Sequence, residues 1–195
     1  MKQNRRTLIT AAVAATVAGA LPLSVFAQKK IVVGFSQIGA ESEWRTANTN
    51  SMKSAAAAAG IELKFSDAQQ KQENQIKALR SFIAQKVDVI ALTPVVESGW
   101  DTVLKEIKDA KIPLILMDRS VDSKDTSLYV THIGFDFVKQ GEMAGQWLME
   151  RAKTLKGDIN VVELQGTVDS APAIDRKKRF ETAIKGNSNI KNIRS

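Results

Sequence analysis

"VDVIALTPVVESGWDTVLKEIKDAKIPLILMDR", residues 87–119, contains a complete strand–helix–strand unit. It opens on one apolar run near Val87 and closes on another from Ile112 to Met117. Between them Trp100, Val103, Leu104 and Ile107 recur at i, i+3, i+4 and i+7, the apolar stripe of one helix face. Strand, helix and strand in that order form a right-handed crossover between parallel strands. Strands this continuously apolar predict a sheet with helices over both faces.

The same unit repeats outward. Strand-like runs begin near 31 (IVVGFSQ) and 61 (IELKFSDA) upstream, and near 127 (LYVTHIG) and 158 (INVVELQG) downstream. Ile76, Leu79, Phe82 and Ile83 mark a second helix, and an alanine run ends at Gly60, where a helix C-terminus favours glycine. The fold class is therefore α/β, a parallel βαβ lobe. One spacing breaks the rhythm: the stretch from the strand at 112 to the strand at 127 is too short for a crossover helix. It predicts a change of topology, and Gly134-Phe135-Asp136 predicts passage into a second unit. That unit reads as a helix over 137–154, a strand over 158–164 and a helix from about Pro172. A further strand is only starting at "NIKNIRS". The expected organisation is an export signal over 1–27, a nearly complete first lobe over 28–134 and an incomplete second lobe over 135–195.

The export signal rests on "MKQNRRT", a basic start, followed by the apolar "LITAAVAATVAGALPLSVFA". Val25 and Ala27 occupy the small-residue positions of a cleavage site, so the mature chain is expected to begin at Gln28. Arg5-Arg6 leaves both the general and the twin-arginine routes open. Cysteine is absent, so nothing here calls for a disulfide. The net charge of +7 falls to about +4 once Lys2, Arg5 and Arg6 are set aside. Lysines such as Lys105, Lys108 and Lys111 are scattered along helices as on a solvated face, so no nucleic-acid partner is expected.

Ligands of open parallel sheets bind beyond the carboxyl ends of the strands. At those ends lie Glu41, Trp44 and Arg45 after the first strand, Asp118 and Arg119 after the fourth, and Arg176 on the helix after "QGTVDS". A planar apolar ring with carboxylate and guanidinium groups suits a sugar, whose C–H faces stack while its hydroxyls exchange hydrogen bonds. Each residue also has a plain reading. Trp44 is compatible with a loop side chain folded onto its own core, Asp118-Arg119 with a helix cap, and Arg176 with a solvated basic face. It is their shared placement that favours a site. His132, on an apolar strand, reads as a packed or edge histidine. One histidine and no cysteine exclude cysteine nucleophiles and multi-histidine metal centres. With no phosphate loop, G-x-G-x-x-G or G-x-S-x-G, neither cofactor nor catalysis is expected.

From about residue 28 onward, "GFSQIGAESEWR", "DAQQKQENQIKALRSFIAQKVDVIALTPV", "LMDRSVD" and "NVVELQGTV" with "AIDRKK" resemble the periplasmic sugar-binding proteins of ABC transporters, in the ribose/galactose-binding family. The resemblance implies two α/β lobes closing on a monosaccharide, a furanose or hexose, and an inner-membrane permease as partner for a monomeric periplasmic protein. It assigns ligand contacts to Glu41, Trp44, Arg45, Asp118, Arg119 and Arg176. Two alternatives fit the same fold: the sugar-responsive effector domain of a transcription regulator, and a small exported sugar-active enzyme. The chain departs from the family in ending inside the second lobe, from which weak sugar binding and a bare sheet edge are expected. Asp169 and Arg179 stand where relatives carry glycine, so a positive φ or a close approach is expected at each.

Overall fold

The computed structural model describes residues 29–194. The export signal over 1–27 and the cleavage before Gln28 lie outside the described residues. The order of elements is β1 (Val32–Gln37), α1 (Glu43–Ala58), β2 (Glu62–Asp67), α2 (Gln72–Ala84), β3 (Val89–Leu92), α3 (Asp101–Asp109) and β4 (Leu114–Asp118). A 3-10 turn (Thr126–Leu128) follows, then β5 (Thr131–Gly134), α4 (Phe137–Ala152), β6 (Ile159–Val162), α5 (Ala171–Ile184) and β7 (Ile190–Arg194).

Strands β1 to β5 form one all-parallel sheet in the order β2-β1-β3-β4-β5. Because every pairing is parallel, the carboxyl ends fall on one side: Ser36 sits beside Leu92, Leu92 beside Leu116 and Asp118 beside Gly134. Strands β6 and β7 pair in parallel as a separate two-stranded sheet. The main core lies between the large sheet and helices α2 and α3. Leu79, Phe82, Ile90, Leu92, Leu104, Ile107, Leu114 and Leu116 are all buried there, with Trp100 donating its indole N–H to Val96 O at 2.8 Å. All four residues of the predicted Trp100–Ile107 stripe are buried. The alanine-rich α1 ends as a Schellman motif: Gly60, at φ 68°, donates to Ala57 O, and Ile61 donates to Ala56 O.

The short connection after β4 does not change the topology. β5 joins the same sheet, in parallel, as its edge strand. A crossover helix is dispensable because the connecting segment supplies its own apolar cover: Leu128 is buried against the core, with Val121 and Tyr129 packed beside it. After Gly134-Phe135-Asp136 the chain leaves the large sheet and enters α4, which packs against α5. There Gly145 lies so close to α5 that a Cβ on it would meet the Ala183 methyl at 2.5 Å, and Gly141 lies against the Arg176 backbone. Asp169 does adopt a positive φ of 61°, the conformation a glycine would favour. Arg179 lies inside α5, without a positive φ and with its side chain exposed, so that expectation is corrected: neither backbone conformation nor a close approach asks for glycine there.

Gly34 shows how tightly α2 packs on the sheet, since a Cβ there would stand 2.5 Å from the Phe82 ring. Gly34→Ala is expected to destabilise the protein by about 1–3 kcal/mol, the usual cost of overpacking. Urea denaturation checks this, and an unchanged midpoint would contradict the close approach.

Candidate ligand-binding site

Backbone geometry brings the first group of residues together. Ser42 caps α1, its Oγ accepting from the Arg45 N–H at 3.2 Å, which sets Trp44 and Arg45 on the first helical turn above the end of β1. Gln37, wholly buried at that end, donates through Nε2 to Asn48 Oδ1 at 2.9 Å and Thr49 Oγ1 at 3.2 Å, tying the strand to the helix. At the end of β4 the chain turns sharply. Asp118 has a φ of 61°, and the Arg119 N–H donates back to Met117 O at 2.6 Å. Such a three-residue turn on a non-glycine residue is strained, at a cost of order 1–3 kcal/mol. No helix follows directly, so the helix-cap reading of Asp118-Arg119 does not hold.

The turn points Asp118 at α1. Arg45 donates through Nη2 to Asp118 Oδ2 at 2.9 Å and through Nε to Glu41 Oε1 at 3.2 Å. Its side chain is 4% exposed and Asp118's is 12% exposed, so the pair is largely withdrawn from water. Arg119, also buried, donates through Nη1 to Val95 O at 2.9 Å, and its Nε lies 4.0 Å from Asp118 Oδ2. Two guanidinium groups therefore share one carboxylate. Burial, followed by the like charge of Arg45, pulls the Arg119 pKa below its ordinary value, while Asp118 and Glu41 oppose the shift and Arg176 adds to it. Two donors of this cluster, Arg45 Nη1 and Arg119 Nε, are buried with no hydrogen-bond partner among the described residues. Such donors cost about 1–3 kcal/mol each unless something accepts from them.

Trp44 is half exposed and does not fold onto the core. The Arg45 guanidinium lies 4.8 Å from its ring centroid. Trp44 also begins an aromatic row, Trp44 to Phe135 at 6.5 Å and Phe135 to Phe137 at 6.4 Å. Arg176, exposed on α5, ends the row with its guanidinium 4.7 Å from the Phe137 centroid and its Nε donating to Gln140 Oε1 at 2.8 Å. Phe135, Phe137 and Gln140 were not expected as site residues. Phe135 follows the end of β5 directly, so the strand-end rule that selected Trp44 points to it as well. Gln140 and Phe137 carry no sequence signal beyond their helical spacing.

A cavity of about 690 Å³ opens beside this row, among α4, α5 and β6. Arg119, Gln140 and Arg176 line it, but Glu41, Trp44, Arg45 and Asp118 do not. Much of its remaining wall is apolar, including Trp147, Leu148, Val162 and Phe180. Its polar lining includes Asn160, Gln165, Thr167 and Ser170 besides Gln140 and the two arginines.

The fold is a parallel α/β sheet with paired arginines and a half-exposed aromatic at its strand ends. Residues 33–195 match the periplasmic binding protein domain, and the chain belongs to that family. It is 54% identical to the galactofuranose-binding protein YtfQ of Escherichia coli over 192 residues, 98% of this chain and 58% of the relative. A crystal structure from Mycobacterium smegmatis in complex with β-D-fucofuranose is 55% identical with a TM-score of 0.80, the match covering 85% of this chain and 54% of that one. The arabinose transporter component of Shewanella sp. ANA-3, bound to α- and β-L-arabinofuranose, is 52% identical with a TM-score of 0.77, over 84% and 53%. The chain thus spans little more than half the length of these relatives.

Asp118→Asn keeps the side chain's shape and a residue that tolerates positive φ, but removes the charge shared by Arg45 and Arg119. It is expected to destabilise the fold by about 3 kcal/mol, the low end for breaking a buried pair because Glu41 remains. Chemical denaturation measures this, and a wild-type midpoint would show the cluster to be solvated.

A second expectation concerns pH. Where the units meet, the Glu97 N–H donates to Asp169 O at 2.8 Å. Burial, then the charges of Asp175 and Asp122, raise the Glu97 carboxyl above its ordinary value against the pull of Lys178. The folded state therefore holds this proton more tightly than the unfolded chain. Its contribution is fully present below the unfolded carboxylate value, about 4.3, and is lost as pH rises through the raised folded value. Glu97→Gln is expected to flatten the decline in melting temperature as pH rises above the unfolded carboxylate value, about 4.3. An identical profile in the variant would contradict it.

Proposed function

We propose that this chain contributes the sugar-capturing component of an ABC importer, and that its ligand is a furanose ring. The observation that carries the reading is the pair of buried, unpartnered donors, Arg45 Nη1 and Arg119 Nε, set beside a half-exposed tryptophan. Both belong to a cluster already held rigid by Asp118, so a sugar hydroxyl accepting from them adds bonds without ordering flexible cations. Trp44 offers a face to the ring's C–H groups, and Glu41 and Asp118 offer acceptors for its hydroxyl protons. Arg176, carried by the second unit, closes the site from the opposite side. The ligands named for the three relatives, galactofuranose, β-D-fucofuranose and L-arabinofuranose, share the five-membered ring and differ in what it carries.

In this reading the lobes 28–134 and 135–195 flank the sugar. The protein works as a monomer in the periplasm, and an inner-membrane permease receives the ligand. It binds without turning the sugar over. The protein recovered from the periplasm is expected to begin at or near Gln28 by mass spectrometry, and intact Met1 on a membrane-bound product would contradict export.

The binding test is a titration of the chain with L-arabinose, D-fucose and D-galactose to high millimolar concentration, following tryptophan emission. A saturable change is expected. Trp44→Ala should weaken it by about 1–3 kcal/mol, the scale of uncovering a large apolar side chain. Failure of all three sugars to saturate, or wild-type affinity in Trp44→Ala and Arg119→Ala alike, would overturn the reading.

A further inference from the structure

Gln75 is a buried amide in the middle of α2, wholly removed from solvent on a helix face otherwise occupied by Ala78, Leu79 and Phe82. Burying an amide is costly unless its groups are paired. Among the described residues, Gln75 hydrogen-bonds to backbone and not to another side chain. Its Nε2 donates to Thr93 O at 2.7 Å, and its Oε1 accepts from the Val95 N–H at 2.9 Å. Thr93 and Val95 flank Pro94, just past the end of β3, where the backbone has left the sheet. One side chain thus holds both sides of the proline and acts there as a neighbouring strand would.

The segment is pinned from other directions too. The Thr93 N–H donates to Ser36 O at 3.1 Å, and the Trp100 indole donates to Val96 O at 2.8 Å. The carbonyl between these anchors, Val95 O, accepts from Arg119 Nη1 at 2.9 Å. That bond fixes one edge of the Arg119 guanidinium. Because the group is planar and its donors form a rigid fork, fixing Nη1 also fixes where Nε points.

We propose that Gln75 is a positioning residue for the ligand: by clamping Thr93 and Val95 it aims the Val95 carbonyl, which in turn orients the Arg119 guanidinium, whose Nε lies 4.0 Å from Asp118 Oδ2 and has no hydrogen-bond partner among the described residues. Its effect on sugar affinity rests on the function proposed above, whereas its effect on Arg119 does not. Gln75 touches no ligand atom in this arrangement. A purely structural role would cost stability while leaving the Arg119 contribution intact.

The test uses the full chain as wild type, Gln75→Met, Arg119→Ala and the double variant, with two readings. The first is the side-chain Nε–H resonance of Arg119 in sugar-free protein, assigned by its disappearance in Arg119→Ala. It is expected to shift or broaden in Gln75→Met while the Arg45 Nε–H, bonded to Glu41, stays in place. The second is L-arabinose affinity, expected to fall about tenfold or more in Gln75→Met, as for loss of a hydrogen bond to a charged group. In that background Arg119→Ala should add less than about threefold, because coupled residues are not additive. If Gln75→Met does not melt cooperatively, the same readings are taken on Gln75→Asn, which keeps an amide too short to span both backbone groups. An unmoved Arg119 resonance, or a full Arg119→Ala penalty in the Gln75 variant, would overturn the proposal. If the wild type binds no sugar, the functional reading falls, and the resonance alone decides the role of Gln75.

Discussion

The interaction on which the rest depends is the buried ion pair between Arg45 and Asp118. It joins the first turn of α1 to the end of β4, two places that are 73 residues apart in the chain and meet only because the sheet is parallel. Removing two charges from water is expensive, and their mutual attraction offsets that cost only when geometry and further hydrogen bonds are good. Glu41 supplies one such bond. The strained turn at Asp118 is also tolerated here, and it directs the carboxylate at both arginines. A pair of this kind is weak support for stability by itself. Its consequence is a cluster in which Arg45 Nη1 and Arg119 Nε are buried without a hydrogen-bond partner among the described residues.

The parallel register makes this possible. β1, β3, β4 and β5 end side by side, and each contributes a different chemistry at its end: the guanidinium of Arg45, the Val95 carbonyl, the Asp118 carboxylate and the Phe135 ring. The aromatic row then carries the surface from Trp44 across to Arg176 on α5. The segment after β5 meets the large-sheet region through the backbone bond from Glu97 to Asp169 and through the contact of Phe135 with Trp44.

Much of this was legible in the residues. The strand–helix period, the Trp100–Ile107 stripe and the strand ends that hold Glu41, Trp44, Arg45, Asp118 and Arg119 follow from periodicity and from the rule for parallel sheets. The fate of the short connection was not legible. Whether a segment without a helix still delivers a parallel strand depends on whether a residue such as Leu128 can bury in the gap, which is a tertiary fact. Gln75 was invisible for a related reason. A glutamine at a helical core position looks like an interruption of the apolar stripe until the backbone it binds, at Thr93 and Val95, is brought alongside. Arg176 was legible both as a position and, in its plain reading, as an exposed side chain. Its seat on Phe137 and Gln140 was not, because it depends on the close approach of α4 and α5 at Gly141.

The most direct measurement is a crystal structure of the chain grown with saturating L-arabinose. The account expects a furanose ring against Trp44, with hydroxyl oxygens within hydrogen-bonding distance of Arg45 Nη1 and Arg119 Nε and the Arg45–Asp118 pair unbroken. Sugar density confined to the apolar wall near Trp147 and Phe180, with those two donors still unpartnered, would contradict it.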